Sequence, residues 1–342
     1  MNMDFERKLT IPMEVKDMYP LSDEIKEIVS KRDIELKKIL SGEDDRMIMI
    51  IGPCSADSED SVIDYLHRLK KIEEKVREKL FIIPRVFTNK PRTTGLGYKG
   101  LLHQPDPNKK PDLFKGIIAT RELHRRAIEE SGLTCADEML YPENFKYVDD
   151  LIGYVSVGAR SVEDQQHRLT ASGIDVPVGM KNPTGGNFKS MLNAIKAAQN
   201  EHSFIYRGWA AHSRGNLYAH AILRGYTDFD GNCIQNYSYD NLCKLYEMYS
   251  ETDLMNKSVI VDTNHANSGK DPFKQPNIIM DVLESRKKSA DIKELVKGFM
   301  VESYIEDGCQ KVGDGIYGKS ITDPCLGIEK TESLLLNLAD EL

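Results

Sequence analysis

The chain has 342 residues, a formal net charge of −8 at pH 7 and a hydrophobic content of 40%. The acidic balance argues against a nucleic-acid-binding protein, because counterion release requires a broad basic face, and no apolar run approaches the roughly 18 residues that a transmembrane helix needs. Residues 1–10 lack the apolar core of a signal peptide and the six cysteines have no regular spacing, so we expect a cytoplasmic protein with reduced thiols.

Residues 1–46 precede the first strand-like run, and we predict a helical N-terminal extension here. Ser22 is a suitable N-cap, Gly42 is suited to end a helix, and apolar residues recur between them at helical spacing. A helix outside the main fold is typical of an interface or regulatory element. Residues 47–342 are predicted to form the catalytic domain, whose length suits one α/β barrel.

Short apolar runs alternate with amphipathic helical stretches from residue 47 onward. Apolar strands between such helices indicate a parallel sheet covered by helices. Eight repeats predict an α/β fold, a (β/α)8 TIM barrel, with a small hairpin insertion near strand 6. A doubly wound open sheet is the alternative, because periodicity does not distinguish a closed sheet from an open one. The runs are 47–51, 81–87, 133–136, 154–157, 176–180, a less regular sixth region with 204–206 and 221–223, 259–261 and 299–301.

Charged side chains follow most of these runs, at the strand ends where parallel α/β folds place their active sites. Arginine offers a bidentate fork to phosphate or carboxylate, and lysine a compact point charge. Cations gathered at one barrel mouth would repel one another unless anions were bound between them. Any one of them is more often a solvated surface residue, but the repetition favours an anion site. The six cations are Arg85, Lys90, Arg92, Arg160, Lys181 and Arg224.

A candidate metal site combines Cys54, His265, Glu302 and Asp323. Thiolate and imidazole suit Zn²⁺, Fe²⁺ or Co²⁺, and the two carboxylates admit Mn²⁺. The spacing alone does not establish this set, because the residues are scattered along the chain, and a buried thiol or a structural histidine is the alternative for the first two. The remaining histidines on helical or loop stretches are predicted to be surface residues, among them His103, His124 and His167.

Short motifs run in order from about residue 47 to 328. They are Gly52-Pro53-Cys54-Ser55, Lys90-Pro91-Arg92-Thr93-Thr94, Val157-Gly158-Ala159-Arg160, Pro177-Val178-Gly179-Met180-Lys181-Asn182, Leu223-Arg224-Gly225, Asp262-Thr263-Asn264-His265-Ala266-Asn267-Ser268, Met300-Val301-Glu302-Ser303 and Tyr317-Gly318-Lys319-Ser320-Ile321-Thr322-Asp323. In this order they resemble the type I 3-deoxy-D-arabino-heptulosonate 7-phosphate synthases, the first enzymes of the shikimate pathway.

The resemblance implies a metal-dependent transferase that condenses phosphoenolpyruvate with erythrose 4-phosphate and water, the committing step of aromatic amino acid biosynthesis. One divalent ion (Mn²⁺, Fe²⁺, Co²⁺ or Zn²⁺) is implied, with Cys54, His265, Glu302 and Asp323 as its ligands. Lys90, Cys54 and His265 are the implied catalytic residues, Lys90 being the candidate for proton transfer. The implied phosphoenolpyruvate contacts are Arg85, Lys90, Arg160, Lys181 and Arg224, with Glu138 close by. Arg92 and Thr93 would grip the sugar phosphate, and Ala159 and Asp323 complete the implied substrate contacts.

A homodimer or homotetramer is expected from the same resemblance, together with a possible aromatic amino acid effector. In the feedback-inhibited relatives this effector binds between the N-terminal extension, the segment after the third strand and a hairpin near the sixth. Residues 141–146 and Asp175 depart from the family pattern, so loss of inhibition is an open alternative.

Three other functions are open alternatives. They are a related synthase acting on arabinose 5-phosphate, a metal-dependent aldolase that releases no phosphate, and a catalytically inactive regulator. The turn at 90–94 favours the erythrose 4-phosphate enzyme.

Overall fold

A computed structural model describes residues 2–92 and 95–342. Its strands in this part of the chain are β1 (Met47–Gly52), β2 (Leu80–Pro84), β3 (Ala136–Glu138), β4 (Tyr154–Val157), β5 (Val178–Lys181), β6 (His202–Tyr206), β7 (Trp209–Ser213), β8 (His220–Leu223), β9 (Tyr226–Thr227), β10 (Cys233–Ile234), β11 (Val259–Asp262) and β12 (Val296–Glu302). The α-helices are α1 (Pro12–Met18), α2 (Asp23–Ser41), α3 (Glu59–Val76), α4 (Leu113–Ser131), α5 (Gln165–Ala171), α6 (Phe188–Gln199), α7 (Tyr239–Glu251), α8 (His265–Ser268), α9 (Gln275–Lys288), α10 (Ala290–Leu295) and α11 (Ile328–Glu341).

Eight strands form one parallel sheet in the order β2-β1-β12-β11-β8-β5-β4-β3. The two end strands meet through a parallel bridge between Arg85 and Ala136, where the Val86 N–H donates to the Ala136 carbonyl at 2.9 Å. The sheet therefore closes on itself. The predicted (β/α)8 barrel is confirmed, and the open-sheet alternative is wrong.

Residues of β1 alternate between two apolar clusters. Met49 and Ile51 pack outward with the surrounding helices, whereas Ile48 and Ile50 belong to a separate cluster with inward-facing residues of β2, β8, β11 and β12. That inner cluster also contains Leu36, Ile39 and Leu40 of α2. The N-terminal helix thus covers one end of the barrel core and leaves the other end for the charged residues.

The predicted limits of α2 agree with its capping groups. The Ser22 hydroxyl accepts a hydrogen bond from the Ile25 N–H at 3.3 Å, and Gly42 ends the helix with φ 83°. A positive φ costs glycine little because it has no Cβ. In residues 2–92 and 95–342, no helix is long and apolar enough to cross a membrane.

The irregular sixth region divides into two structures. Strands β6 and β7 form an antiparallel hairpin outside the barrel, joined by Arg207 (φ 52°) and Gly208 (φ 79°), as expected for a two-residue turn of type I′. The sixth barrel strand is β8. The predicted hairpin insertion is confirmed, but residues 204–206 belong to the hairpin rather than to the barrel.

The third repeat departs most from the predicted pattern. Strand β3 begins at Ala136, at the last residue of the predicted run 133–136, and extends into Asp137 and Glu138. A single 3₁₀ turn (Phe145–Tyr147) lies between β3 and β4, in place of the helix of a regular (β/α)8 repeat. The strand tolerates these two buried carboxylates because both have polar partners, described below.

Candidate active site

The C-terminal ends of the barrel strands gather the predicted charged residues at one mouth. Because all eight strands run parallel, residues at the C-terminal ends of β2, β5 and β12 lie around the same opening. Arg85, Lys181 and Glu302 are all buried there, with exposed fractions of 1%, 3% and 1%. Burial of three charged groups within one mouth is costly unless they are paired, and the pairs define the site.

Arg85 and Glu302 form the deepest pair. Arg85 Nη2 lies 2.9 Å from Glu302 Oε1, its Nη1 donates to the Pro53 carbonyl, and its guanidinium stacks 3.9 Å from the centre of the Phe87 ring. Burial alone would lower the pKa of Arg85, but the charge of Glu302, followed by that of Cys54, holds this pKa above its ordinary value. Arg85 is therefore a permanent cation at the floor of the mouth.

Three of the four predicted metal ligands lie together. The ligand atoms of Cys54, Glu302 and Asp323 are all within 4.8 Å of one another. Glu302 Oε1 is buried without a hydrogen-bond partner, since its contact with Arg85 lacks hydrogen-bond geometry, while Oε2 accepts from Asn264 Nδ2. A thiol and two carboxylates, one of which has an oxygen that accepts no hydrogen bond, fit a divalent cation.

His265 lies beside this cluster rather than in it. Its Nε2 is 3.9 Å from Glu302 Oε1, and its Nδ1 is 2.9 Å from Asp262 Oδ2. Burial would raise the pKa of Asp262, but the nearby charge of His265 outweighs burial and holds this pKa well below its usual range. Asp262 thus remains an anion that orients the imidazole, an arrangement typical of metal-binding histidines.

Lys90 and Lys270 contact the cluster from its open side. Lys90 Nζ is 3.0 Å from Cys54 Sγ, and Lys270 Nζ is 2.9 Å from Asp323 Oδ1. Burial acts to raise the pKa of Asp323, but the hydrogen bond from Lys270, with a smaller effect of Lys90, lowers it overall. Lys270, and to a smaller extent Lys90, therefore favours the anionic form of Asp323 that metal binding requires.

Glu138 and Lys181 form the second buried pair. Lys181 Nζ donates to Glu138 Oε2 at 3.2 Å. It also lies 5.2 Å from the centre of the Phe87 ring, the same ring that Arg85 contacts. Burial would raise the pKa of Glu138, but Lys181 and then Lys90 lower it. A Cβ on Gly158 would lie 2.8 Å from Glu138 Oε1, so any other residue there would force this carboxylate to shift.

Arg160 and Arg224 follow β4 and β8, the barrel strands on either side of β5. Arg160 is exposed and Arg224 is half-buried. The pKa of Arg224 is lowered, first by burial and further by Arg160, against the opposing charge of Asp262. Two arginines that repel each other in this way form a place for an anion. Ala159, which precedes Arg160, is half-buried.

Arg92 lies at the edge of the site, where its Nε donates to the Tyr98 carbonyl at 3.1 Å. Its remaining guanidinium nitrogens are free of side-chain hydrogen bonds within the described ranges. Thr93 lies outside the described residues, so its predicted phosphate contact stays a prediction.

Several supporting residues were missed by sequence reasoning. Gln275 brackets Glu302, because its Oε1 accepts the Glu302 N–H and its Nε2 donates to the Glu302 carbonyl, both at 2.9 Å. Asp137 accepts hydrogen bonds from Thr88, Glu138 and His124. Two consecutive acidic residues at a strand end were the available signal for Asp137. Gln275 gave none.

The prediction of a surface position for His124 is wrong. Its side chain is fully buried, because the carboxylate of Asp137 supplies a polar partner inside the fold at 3.2 Å. His167 is also largely buried, at 9% exposed, with Nδ1 2.6 Å from Asp164 Oδ1. His103 is half-buried against Tyr141.

A separate cavity of about 170 Å³ lies away from the mouth. It lies between the segment after β3 and the β6/β7 hairpin. This is the region where the family effector was expected. Apolar and aromatic side chains dominate its wall, including Phe145, Ile174, Phe204 and Tyr206. The exposed Asp175 is adjacent in sequence to this wall.

Comparison with known proteins identifies relatives over nearly the whole chain. The model of the DAHP synthetase I family matches residues 24–336. A phospho-2-dehydro-3-deoxyheptonate aldolase of Haemophilus influenzae is 37% identical over 96% of this chain and 90% of that protein. The Phe-sensitive phospho-2-dehydro-3-deoxyheptonate aldolase of Escherichia coli K12 is 35% identical over 98% and 94%. A solved phospho-2-dehydro-3-deoxyheptonate aldolase structure from Francisella tularensis superposes with a TM-score of 0.91 at 32% identity, covering 99% of this chain and 98% of that one.

Proposed function

The chain belongs to the DAHP synthetase I family, and we propose on that premise that it condenses phosphoenolpyruvate with D-erythrose 4-phosphate and water. The products are 3-deoxy-D-arabino-heptulosonate 7-phosphate and inorganic phosphate. The observation that carries the proposal is the juxtaposition of two buried ion pairs, Arg85–Glu302 and Lys181–Glu138, with a metal-type cluster at one mouth. Two anionic substrates can meet only where fixed cations offset their charge.

Phosphoenolpyruvate is assigned to the cations around the buried pairs. Arg160 and Arg224 lack a carboxylate partner among the described ion pairs and repel each other, so an anion between them relieves that repulsion. Lys181 and Arg85 bound the deeper wall, and both cations lie against the Phe87 ring. Ala159 would contribute backbone beside Arg160, and Arg92 and Thr93 would hold the phosphate of the sugar.

Cys54, His265, Glu302 and Asp323 would hold one divalent ion, since three of them converge and the fourth lies beside Glu302. When bound there, the ion would act as a Lewis acid toward the aldehyde oxygen of the sugar. The donor set accepts Mn²⁺, Fe²⁺, Co²⁺ or Zn²⁺.

The chain's own residues would position the reacting carbons and handle protons. C3 of phosphoenolpyruvate attacks the aldehyde carbon, water adds at C2, and the resulting phosphohemiketal loses phosphate. We assign to Lys90, whose Nζ is 3.0 Å from Cys54 Sγ, the transfer of a proton to the oxygen that was the aldehyde. We expect Lys90→Ala to lower kcat by about 10²-fold or more while metal content changes little; near-normal turnover would exclude this role. Lys110→Ala, at an exposed loop position, is the matched control.

The decisive experiment measures consumption of phosphoenolpyruvate and release of phosphate with erythrose 4-phosphate, before and after thorough metal stripping. We expect both signals with erythrose 4-phosphate, neither with arabinose 5-phosphate, and recovery when divalent metal is restored. Carbon–carbon condensation without phosphate release would instead identify a metal-dependent aldolase. Unchanged activity after stripping would refute the metal assignment.

An aromatic amino acid is the effector that the second cavity favours. The cavity has aromatic walls from Phe145, Phe204 and Tyr206, and one relative bears the name Phe-sensitive. Phe145 follows β3, whose Glu138 lies in the catalytic mouth, so occupancy of the cavity could reach the site through one short segment. Titration of the activity with phenylalanine, tyrosine and tryptophan tests this. No response to any of the three would indicate loss of inhibition.

A further inference from the structure

A buried polar network lies next to the catalytic mouth, and we propose that it is a positioning unit for Lys90 and Glu138. Its members are Thr88, His124 and Asp137, with exposed fractions of 0%, 0% and 4%. The proposal rests on the proposed function, because Lys90 and Glu138 matter only if phosphoenolpyruvate binds beside them.

Asp137 is the hub of this network. Its Oδ1 accepts the backbone N–H groups of Thr88 at 2.9 Å and Glu138 at 2.7 Å. Its Oδ2 accepts the Thr88 hydroxyl and lies 3.2 Å from His124 Nε2. A carboxylate has about four lone-pair sites, so four donors satisfy it completely.

His124 donates to Asp137 from Nε2 in this arrangement. Its Nδ1 is buried without a hydrogen-bond partner, so a proton there would leave an unsatisfied N–H inside the protein. In the tautomer that carries its hydrogen on Nε2, this nitrogen donates to Asp137 and Nδ1 carries no hydrogen. Helix α4, which carries His124, is thereby tied to the end of β3.

The network replaces a stretch of backbone ladder at the seam of the barrel. The seam holds one bridge, between Arg85 and Ala136, with the Val86 N–H on the Ala136 carbonyl. A parallel ladder continuing past it would next use the N–H groups of Glu138 and Thr88. Both go to the Asp137 side chain instead. The two strand ends therefore separate while one carboxylate still fixes their relative position.

The Asp137 carboxylate thus fixes the positions of two proposed functional residues, Lys90 and Glu138. Thr88 lies two residues before Lys90, and Asp137 lies one residue before Glu138. The two are electrostatically linked, since Lys90 is one of the charges that lower the pKa of Glu138. Asn89, between Thr88 and Lys90, adds an Nδ2 hydrogen bond to the Thr88 hydroxyl at 3.1 Å. Movement of Thr88 would shift Lys90 relative to Glu138.

The test compares Thr88→Val with Thr88→Ser. Valine matches threonine in shape but removes the hydroxyl donor, whereas serine retains that donor. We expect Thr88→Val to weaken calorimetrically measured phosphoenolpyruvate binding and to lower kcat/KM for phosphoenolpyruvate, each about tenfold, the effect of one buried hydrogen bond. The KM for erythrose 4-phosphate should change less than twofold, and Thr88→Ser should restore both values. A purely structural role would not separate the two substrates.

Thr120→Val is the matched control. Thr120 is also buried on α4, and its hydroxyl has no hydrogen-bond partner among the described residues. It should behave as the wild type. If Thr88→Val does not fold, the pair His124→Leu and His124→Gln repeats the comparison, because glutamine keeps a side-chain donor and leucine does not.

Two failures are distinguishable. Equal phosphoenolpyruvate affinity and kinetics in Thr88→Val and the wild type, or in both His124 variants if those are used, would overturn the positioning role alone. A wild-type protein that neither binds nor converts phosphoenolpyruvate would overturn the proposed function and this inference with it.

Discussion

Arg85 Nη2 lies 2.9 Å from Glu302 Oε1 where both side chains are 1% exposed. The two residues come from the ends of β2 and β12, the strands on either side of β1. Neither charge has access to bulk water, so each depends on the other. Loss of one partner leaves an uncompensated charge in the interior, which costs more than loss of both.

We expect Arg85→Met to lower the free energy of unfolding by about 3–5 kcal/mol in metal-free protein. The double variant Arg85→Met/Glu302→Leu should recover most of that loss, because neither charge of the pair is then left buried without its partner. Urea unfolding of the two variants and the wild type at neutral pH measures this difference. A double variant as unstable as the single one would show that packing, not charge, dominates at this position.

Gly158→Ala should impair the site without a large effect on the fold. The added Cβ would lie 2.8 Å from Glu138 Oε1, and Glu138 cannot yield easily because it is bound to Lys181. We expect at least a tenfold loss of kcat/KM for phosphoenolpyruvate, since small displacements at a reacting site are costly. Gly185→Ala is the control, because nothing lies within 4 Å of its added Cβ. Equal activity of the two variants would contradict the contact.

The collection of charges at one mouth was predictable because parallel strands fix the direction of every strand end. The residues that follow 176–180 and 299–301, Lys181 and Glu302, were identified on that basis alone. Their partners were not predictable. The Arg85–Glu302 pair requires β1 to stand between β2 and β12, and this order is set by barrel closure, which periodicity does not encode. The family resemblance, which the comparisons confirm, gave the functional class that the charges alone left open.

Burial of polar residues was the main failure of sequence reasoning. His124 lies on an amphipathic helix, and its polarity suggested a surface position. The carboxylate of Asp137, 13 residues later in the sequence, contacts it in the fold and makes its burial favourable. The runs 204–206 and 221–223 looked alike as apolar segments. Only β8 has neighbours on both sides in the barrel, whereas β6 pairs with β7 alone and alternates between half-buried and exposed residues.

Ile39→Ala tests the packing of α2 over the end of the barrel core. Ile39 is fully buried in the inner cluster, so its truncation should lower the free energy of unfolding by about 2–5 kcal/mol. Ile34→Ala makes the same chemical change on the same helix at a side chain that is 53% exposed, and it should alter stability by less than about 0.5 kcal/mol. Chemical denaturation of both proteins gives the comparison. Similar losses would mean that α2 is stabilised by its intrinsic helix propensity rather than by the packing of Ile39 in the inner cluster.

Asp57 provides a prediction about pH. Burial raises the pKa of Asp57 to about 6, although a hydrogen bond from the Tyr304 hydroxyl at 3.2 Å lowers it somewhat. In the unfolded chain this pKa is about 3.9, so the folded protein binds the proton more tightly. The group therefore favours folding fully below about pH 4, and this contribution is lost as the pH rises through 6. Asp57→Asn keeps the acceptor oxygen and removes the charge, so it should be more stable than the wild type by about 2–3 kcal/mol at pH 8, with the difference disappearing near pH 4. Unfolding curves at both pH values measure this.

The control is Asp60→Asn, at an exposed position. Its free energy of unfolding should differ from that of the wild type by less than about 0.5 kcal/mol at either pH. A gain in stability equal to that of Asp57→Asn would assign the effect to net charge instead of burial.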